Sequence, residues 1–366
     1  MEEKRKIMSI FGTRPEAIKL CPLIEELRQR EGILCRVCVT GQHREMLDQV
    51  LGVFDLRPDY DLAIMREGQD LFDITTAVLT GLRPILMEER PDLVLVHGDT
   101  TTAFAAALAC FYLKIPVGHV EAGLRTYDLR SPFPEEWNRQ ALTKLAVHHF
   151  APTERARENL LREGVPSERI LVTGNTGLDA LRKTVREGYT HPELEWARGS
   201  RLLLLTLHRR ESVGAPMARI FRALRRILSE FEDVKILYSM HPNPAIRSLA
   251  WKLLGSWERV HLIDPPNVLD FHNLMANCDW ILTDSGGIQE EAPSLHKPVL
   301  VLRESTERPE GLEAGCTRLV GTGEESVYRG VRELLENPAL FYAMSHSPNP
   351  FGDGDASRRI ADYLNK

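Results

Sequence analysis

The chain predicts an α/β protein of two doubly wound, Rossmann-like domains facing a central cleft. Three observations carry that reading. Apolar, β-rich runs of four to seven residues alternate with segments of helical periodicity, the signature of a parallel sheet built from βαβ units. The alternation weakens between Arg182 and Ser200, then restarts with a second purely apolar run. And 366 residues, 43% of them hydrophobic, are more than one core usually organises and enough for two.

Taken in order, Lys6 to Phe11 is the first strand. A helix starts near Pro15, with Ile18, Leu23, Ile24 and Leu27 on one face, and Pro22 is expected to kink it or mark a tight irregularity. Leu34–Thr40 and Leu93–His97 are strands, Thr101–Leu113 is a helix of small residues, and Val117–Val120 is a strand. In the second half the strands are Leu202–Leu207, Leu237–Met240, His261–Ile263, Trp280–Thr283 and Val299–Leu302, with helices between them. The Gly- and Pro-bearing stretch 182–200 places the interdomain boundary, giving domains over 1–180 and 195–355. A last helix, 356–366, is expected to pack back on the first domain. Two such domains face to face leave a cleft at their C-terminal strand edges, where open α/β sheets bind ligands.

The formal charge of −6 argues against a general nucleic-acid binder. The N-terminus shows no signal-peptide core, and no apolar stretch is long enough to span a bilayer, so a soluble, cytoplasmic protein is expected. Six cysteines are scattered. Cys35 and Cys38 lie three apart in a strand and point to opposite faces, which suits buried reduced thiols better than a metal site.

The motifs sit at strand ends. Gly12-Thr13-Arg14-Pro15-Glu16-Ala17-Ile18-Lys19 follows the first strand, where a helix N-terminus with Arg14 and Lys19 suits a phosphate; an ordinary turn with exposed basic residues gives the same pattern. Asp99, Glu121 and Glu135 end apolar runs rather than lie on polar faces, and are candidates for base, acid and positioning group. Capping by Asp99, and salt bridges of the glutamates to Arg125 or Arg139, are the structural alternatives. Ser285-Gly286-Gly287 joins a strand to a helix and lets a pyrophosphate approach the backbone, with Glu291 a turn further on for ribose hydroxyls; a cap by Asp284 or Ser285 is the alternative. Arg308 follows the next strand and can close over the same anion, or form a surface ion pair. His208 ends the second half's first strand and is a candidate acid or anion ligand, a purely structural histidine being the alternative. The turn-forming prolines explain much of His241-Pro242-Asn243-Pro244. Asp59-Tyr60-Asp61 is read as loop rather than metal site, and Gly321-Thr322-Gly323 lacks the rest of a dinucleotide fingerprint.

With FGTRPEAIKL, GQHREMLDQVL, VLVHGDTTTAF, IPVGHVEAGLRT, SPFPEEWNRQ, TGNTGLDAL, HRRES, LTDSGGIQEEAPSL and ERPEGLEAG in order along the chain, the sequence closely resembles the non-hydrolysing UDP-N-acetylglucosamine 2-epimerases. The resemblance implies the glycosyltransferase-B architecture and interconversion of UDP-N-acetylglucosamine (UDP-GlcNAc) and UDP-N-acetylmannosamine (UDP-ManNAc) by elimination and re-addition of UDP through 2-acetamidoglucal. It implies no cofactor and no metal, a cytoplasmic homodimer, no nucleic-acid or membrane partner, and a role in supplying cell-surface polysaccharide synthesis. It places the catalytic groups on Asp99, Glu121, Glu135 and His208. Substrate contacts fall on Arg14, Lys19, Asp99, Glu121, His208, Phe271, Ser285, Gly286, Gly287, Glu291 and Arg308. A second, activating UDP-GlcNAc falls on Gln42, Glu135, Arg209 and His241. Two positions depart from the family pattern: Pro266 stands where relatives often have glutamine near the uracil, and Gly68 where some have an arginine of the activator site.

Overall fold

The computed structural model describes residues 4–41, 44–66, 68–209 and 212–366. The chain divides into two compact units, Met1–Ala180 with Gly352–Lys366, and Leu181–Phe351. The weakly patterned stretch 182–200 therefore lies inside the second unit.

The first unit runs β1 (Arg5–Phe11), α1 (Arg14–Arg28), β2 (Ile33–Val39), α2 (Arg44–Val53), β3 (Tyr60–Asp61), α3 (Leu71–Glu89), β4 (Leu93–His97), α4 (Thr101–Tyr112), β5 (Val117–Val120), α5 (Glu135–Leu145), β6 (His148–Ala151), α6 (Glu154–Arg162), β7 (Ile170–Val172) and α7 (Thr176–Thr184), whose last residues belong to the second unit. Its seven strands pair in parallel in the order β3-β2-β1-β4-β5-β6-β7. The order reverses between β1 and β4, the switch point at which such sheets open a crevice. All five residues of β4 are buried, as a central strand covered on both faces must be. The alanines of α4 let it lie close to its neighbours: Ala103, Ala105, Ala106 and Ala107 are wholly buried in the core shared with α3 and the sheet. Helix α1 contains Pro22 and continues through it to Arg28.

Asp59-Tyr60-Asp61 is not a plain loop. Tyr60 and Asp61 form the edge strand β3, and the Asp59 carboxylate accepts from the Val37 amide at 2.8 Å and from Arg36 at 2.9 Å. The acidic pair thus ends the sheet.

The second unit continues with α8 (Pro192–Ala197), β8 (Arg201–Leu207), α9 (Ala215–Glu230), β9 (Val234–Met240), α10 (Pro244–Leu254), β10 (Val260–Ile263), α11 (Val268–Asn277), β11 (Trp280–Thr283), α12 (Gly286–Glu291), β12 (Val299–Val301), α13 (Pro309–Ala314), β13 (Thr317–Leu319), α14 (Glu324–Glu336) and α15 (Pro338–His346). Its six parallel strands take the order β10-β9-β8-β11-β12-β13, again switching direction at the first strand of the unit, between β8 and β11. The leucine run of β8 serves both faces: Leu203, Leu205 and Leu207 enter the core with α9, while Leu202 and Leu204 enter the core with α11. Burial on both faces makes the strand read as continuously apolar rather than alternating. At His241-Pro242-Asn243-Pro244, Asn243 caps α10 through the Ala245 amide at 2.9 Å.

The last helix, α16 (Ala356–Leu364), belongs to the first unit. Its first amides, Ala356 and Ser357, are capped by the Asp179 carboxylate at 3.3 and 2.7 Å, and Tyr363 meets His148 and Phe150 edge-on. All six cysteines are free thiols, five of them buried. Among the described residues no helix is long and apolar enough to cross a membrane.

Candidate active site

In the first unit the candidate residues gather where β1, β4 and β5 end. Arg14 opens α1, and burial lowers the pKa of its guanidinium. Two residues on, Glu16 is fully buried. Its carboxylate accepts from the Gly12 and Thr13 amides at 3.0 and 2.8 Å and from the Thr100 hydroxyl at 2.7 Å. Glu16 therefore ties the turn that carries Arg14 to the turn that carries Asp99. Burial pushes its carboxyl above the usual range, the hydrogen bonds opposing.

Glu121 follows β5 with φ of 64°, in the left-handed region that non-glycine residues seldom occupy. Its carboxylate pairs with Lys19 of α1, stands 3.6 Å from Nε2 of His97 and 3.5 Å from the amide nitrogen of Asn175. A Cβ on Gly98 would lie 3.6 Å from a Glu121 oxygen, so the turn after β4 passes beside this carboxylate. Backbone held in a sparsely populated region by several partners is found at functional sites more often than elsewhere.

Asp99 does not cap α4; the cap is the Thr100 hydroxyl, which accepts from the Ala103 amide at 3.0 Å. Asp99 pairs instead with Arg139 at 2.6 Å, and Asn138 holds its carbonyl at 2.8 Å. Arg139 also reaches Glu136, at 3.3 Å, while Arg125 pairs with Glu163 at 2.6 Å. Glu135 is the half-buried first residue of α5. The neighbouring Glu136, fully buried, carries the structural work, accepting from the Thr126 and Tyr127 amides. Beneath the turn, His119 Nε2 lies 2.7 Å from the Gly98 carbonyl, and burial lowers its imidazole to about 3. A neutral ring there donates to that carbonyl.

In the second unit the candidates gather where β8 and β11 end. Asp284 is not the helix cap that its place in the sequence allows. It is wholly buried and turned toward β8, where it accepts from the imidazole of His208 and from backbone beside it. Ser285 stands at the head of α12 without a side-chain cap, so the amides of Gly286 and Gly287 are presented there. Arg308 lies over Gly286: a Cβ on that glycine would be 3.0 Å from the guanidinium carbon. Arg308 is held by the buried Glu290 at 2.8 Å, which makes it an anchored cation rather than a surface ion-pair residue. Glu291 stands 3.7 Å from Nε2 of His272, whose Nδ1 meets the Thr184 hydroxyl at 2.6 Å. Phe271 is half-buried beside it on α11.

Of the residues expected for an activator site, Arg209 binds the Asp284 carbonyl at 3.1 Å and approaches Glu307 at 3.6 Å. His241 follows β9, and its pKa is lowered by burial and then by the nearby His208. Glu135 belongs to the first unit, and Gln42 lies outside the described residues. Gly68 has φ of 75° with open space around its Cα, and Pro266 precedes α11.

Sequence reasoning assigns no role to Glu16, Glu290 or His272, names Arg139 only as a salt-bridge partner for the glutamates, and offers for Asp284 only the alternative of a helix cap. Each is a charged or ionisable side chain buried in the fold, which needs a partner there. Only the TRPE and TDSG turns themselves hinted at two of them.

Three comparisons agree on kinship. A family profile described as UDP-N-acetylglucosamine 2-epimerase matches residues 25–365. A Bacillus subtilis protein named UDP-N-acetylglucosamine 2-epimerase is 55% identical over 362 residues, covering 99% of this chain and 95% of its own. The structure of Staphylococcus aureus MnaA with UDP superposes with a TM-score of 0.93 at 50% identity, covering 98% of this chain and 96% of the other. That of a Neisseria meningitidis UDP-GlcNAc 2-epimerase bound to UDP-GlcNAc gives 0.92 at 46% identity, covering 98% and 99%.

Proposed function

The chain belongs to the UDP-N-acetylglucosamine 2-epimerase family and has that activity, and from that premise we propose that it inverts C2 by eliminating UDP and adding it back across 2-acetamidoglucal. The C2 proton of the sugar is not acidic, because no carbonyl adjoins it. Elimination removes the difficulty. A carboxylate takes the C2 proton, the C1–oxygen bond breaks with its electron pair leaving on UDP, and a C1–C2 double bond forms. Protonation of C2 from the opposite face, with return of UDP to C1, gives UDP-ManNAc.

The observation that carries this reading is the cluster around Glu121. A carboxylate in a left-handed backbone, held by Lys19 and flanked by His97 and the Gly98–Asp99 turn, supports the reading of Glu121 as a proton-transfer group. Asp99 and Glu135 complete the set of proton-handling groups. Arg14, the Ser285–Gly287 amides, Arg308 and His208 stabilise the departing diphosphate. Phe271 and Glu291 take the nucleoside. Water stays out during the lifetime of the glycal, since its entry would release free sugar or glycal.

A second UDP-GlcNAc, bound by Gln42, Glu135, Arg209 and His241, activates the enzyme. The enzyme works as a homodimer, a reading supported by the exposed Met87, Phe111 and Tyr112 on adjoining helices of the first unit. Buried free thiols fit a reducing cytoplasm. The product feeds cell-surface polysaccharide synthesis.

The test is incubation with UDP-GlcNAc in D2O without nicotinamide. Deuterium at C2 of UDP-ManNAc, with UDP and 2-acetamidoglucal detectable on long incubation, is the expected result. Product that retains its C2 proton refutes the elimination.

A further inference from the structure

The second unit buries a carboxylate behind the imidazole of His208. Asp284 lies between the ends of β8 and β11 with no exposed surface. Its Oδ2 accepts from the Arg209 amide at 3.0 Å and the Ser212 hydroxyl at 2.9 Å. Both oxygens stand 3.1 Å from the His208 amide, and Oδ1 meets the imidazole Nδ1 at 2.9 Å. Burial by itself would raise such a carboxyl, but the bonds from His208, Arg209 and Ser212 win, and its pKa is held below the ordinary value. A carboxylate kept ionised in this way can only accept. Nδ1 must therefore carry a proton, which leaves the other ring nitrogen, Nε2, as the acceptor of a neutral ring on a side chain 44% exposed.

We propose that Asp284 is the positioning residue of the epimerase site: it fixes the tautomer and direction of His208 so that Nε2 is presented to the diphosphate of the nucleotide sugar. This rests on the reading of His208 as a group that meets the departing UDP. A carboxylate behind an imidazole sets which nitrogen works, and it stabilises the imidazolium that forms when Nε2 takes a proton. The same carboxylate pins the backbone at residues 208 and 209, so ring and main chain are aimed together. Asp284 touches no substrate in this scheme.

The first measurement needs no variant. In protein labelled with 15N at histidine, the neutral His208 ring is expected to carry its proton on Nδ1; a proton on Nε2 overturns the proposal. The second uses Asp284→Asn. Its amide oxygen can take the Oδ2 place toward Arg209 and Ser212, leaving its NH2 facing Nδ1. Nδ1 must then accept, and the ring proton moves to Nε2. Turnover is expected to fall ~100-fold while KM changes less than about threefold, and the 15N signals to report the reversed tautomer. In a His208→Asn background, Asp284→Asn is expected to cost no further activity. Wild-type turnover in Asp284→Asn, or an equal loss in both backgrounds, overturns it. Should Asp284→Asn fail to fold, the wild-type 15N result decides alone. Absence of deuterium at C2 in the wild-type enzyme would remove the elimination reading and leave the tautomer assignment standing.

Discussion

Replacing Glu16 separates what its charge does from what its shape does. In Glu16→Ala the Gly12 and Thr13 amides lose the acceptor they meet at 3.0 and 2.8 Å inside a fully buried site. A buried donor left unpaired costs about 1–3 kcal/mol, so the two together cost about 2–6 kcal/mol. The Thr100 hydroxyl, only partly buried, can turn to solvent and adds little. Glu16→Gln behaves differently. Both backbone donors converge on Oε2, which the amide oxygen replaces, while the NH2 faces the Thr100 hydroxyl, itself able to accept. The glutamine also removes the buried charge whose carboxyl is pushed up by desolvation. Its stability at pH 7 should fall within about 1 kcal/mol of the wild type, or exceed it. Two units make global unfolding an unsafe readout. Native-state hydrogen exchange of the β1 and β4 amides reports on the first unit alone. Alanine at wild-type protection, or glutamine as damaging as alanine, would refute the reasoning.

Other outcomes follow from the same geometry. Asp99→Asn, Glu121→Gln and His208→Ala are each expected to lower turnover by ~100-fold or more at saturating UDP-GlcNAc; near-normal rates in all three would sink the site assignment. Burial holds His119 near 3 and His149 near 4, so the folded first unit binds these protons less readily than the unfolded chain does. Its stability is therefore full above the unfolded histidine pKa of about 6.5 and is lost as pH falls toward those values, by up to about 1.4 kcal/mol per pH unit for each ring. Denaturation of the first unit between pH 7 and 4 checks the slope, which should be shallower in His149→Gln. At Gly123, with φ of 92°, an added Cβ would stand 2.2 Å from the Ala156 carbonyl oxygen. Gly123→Ala should accordingly yield little folded protein, measured as soluble yield and circular dichroism.

The amino-acid sequence by itself determined the two alternating α/β halves, because short β-rich apolar runs alternate with segments of helical periodicity and that alternation restarts once. It also determined which turns matter, since GTRPEAIK and TDSGGIQEE place glycine and charge where strands end. Tertiary structure decided the partners. Whether Asp99 caps a helix or pairs with Arg139, whether Asp284 caps α12 or turns back to His208, and whether Glu121 meets an arginine or Lys19 depend on which strand ends lie side by side. That adjacency follows from strand order, β1 beside β4, β4 beside β5 and β8 beside β11, which brings together residues 40 to 102 positions apart. Local propensity carries no record of such distances, whereas the cost of burying an unpaired charge leaves only a few arrangements open once the sheets have formed.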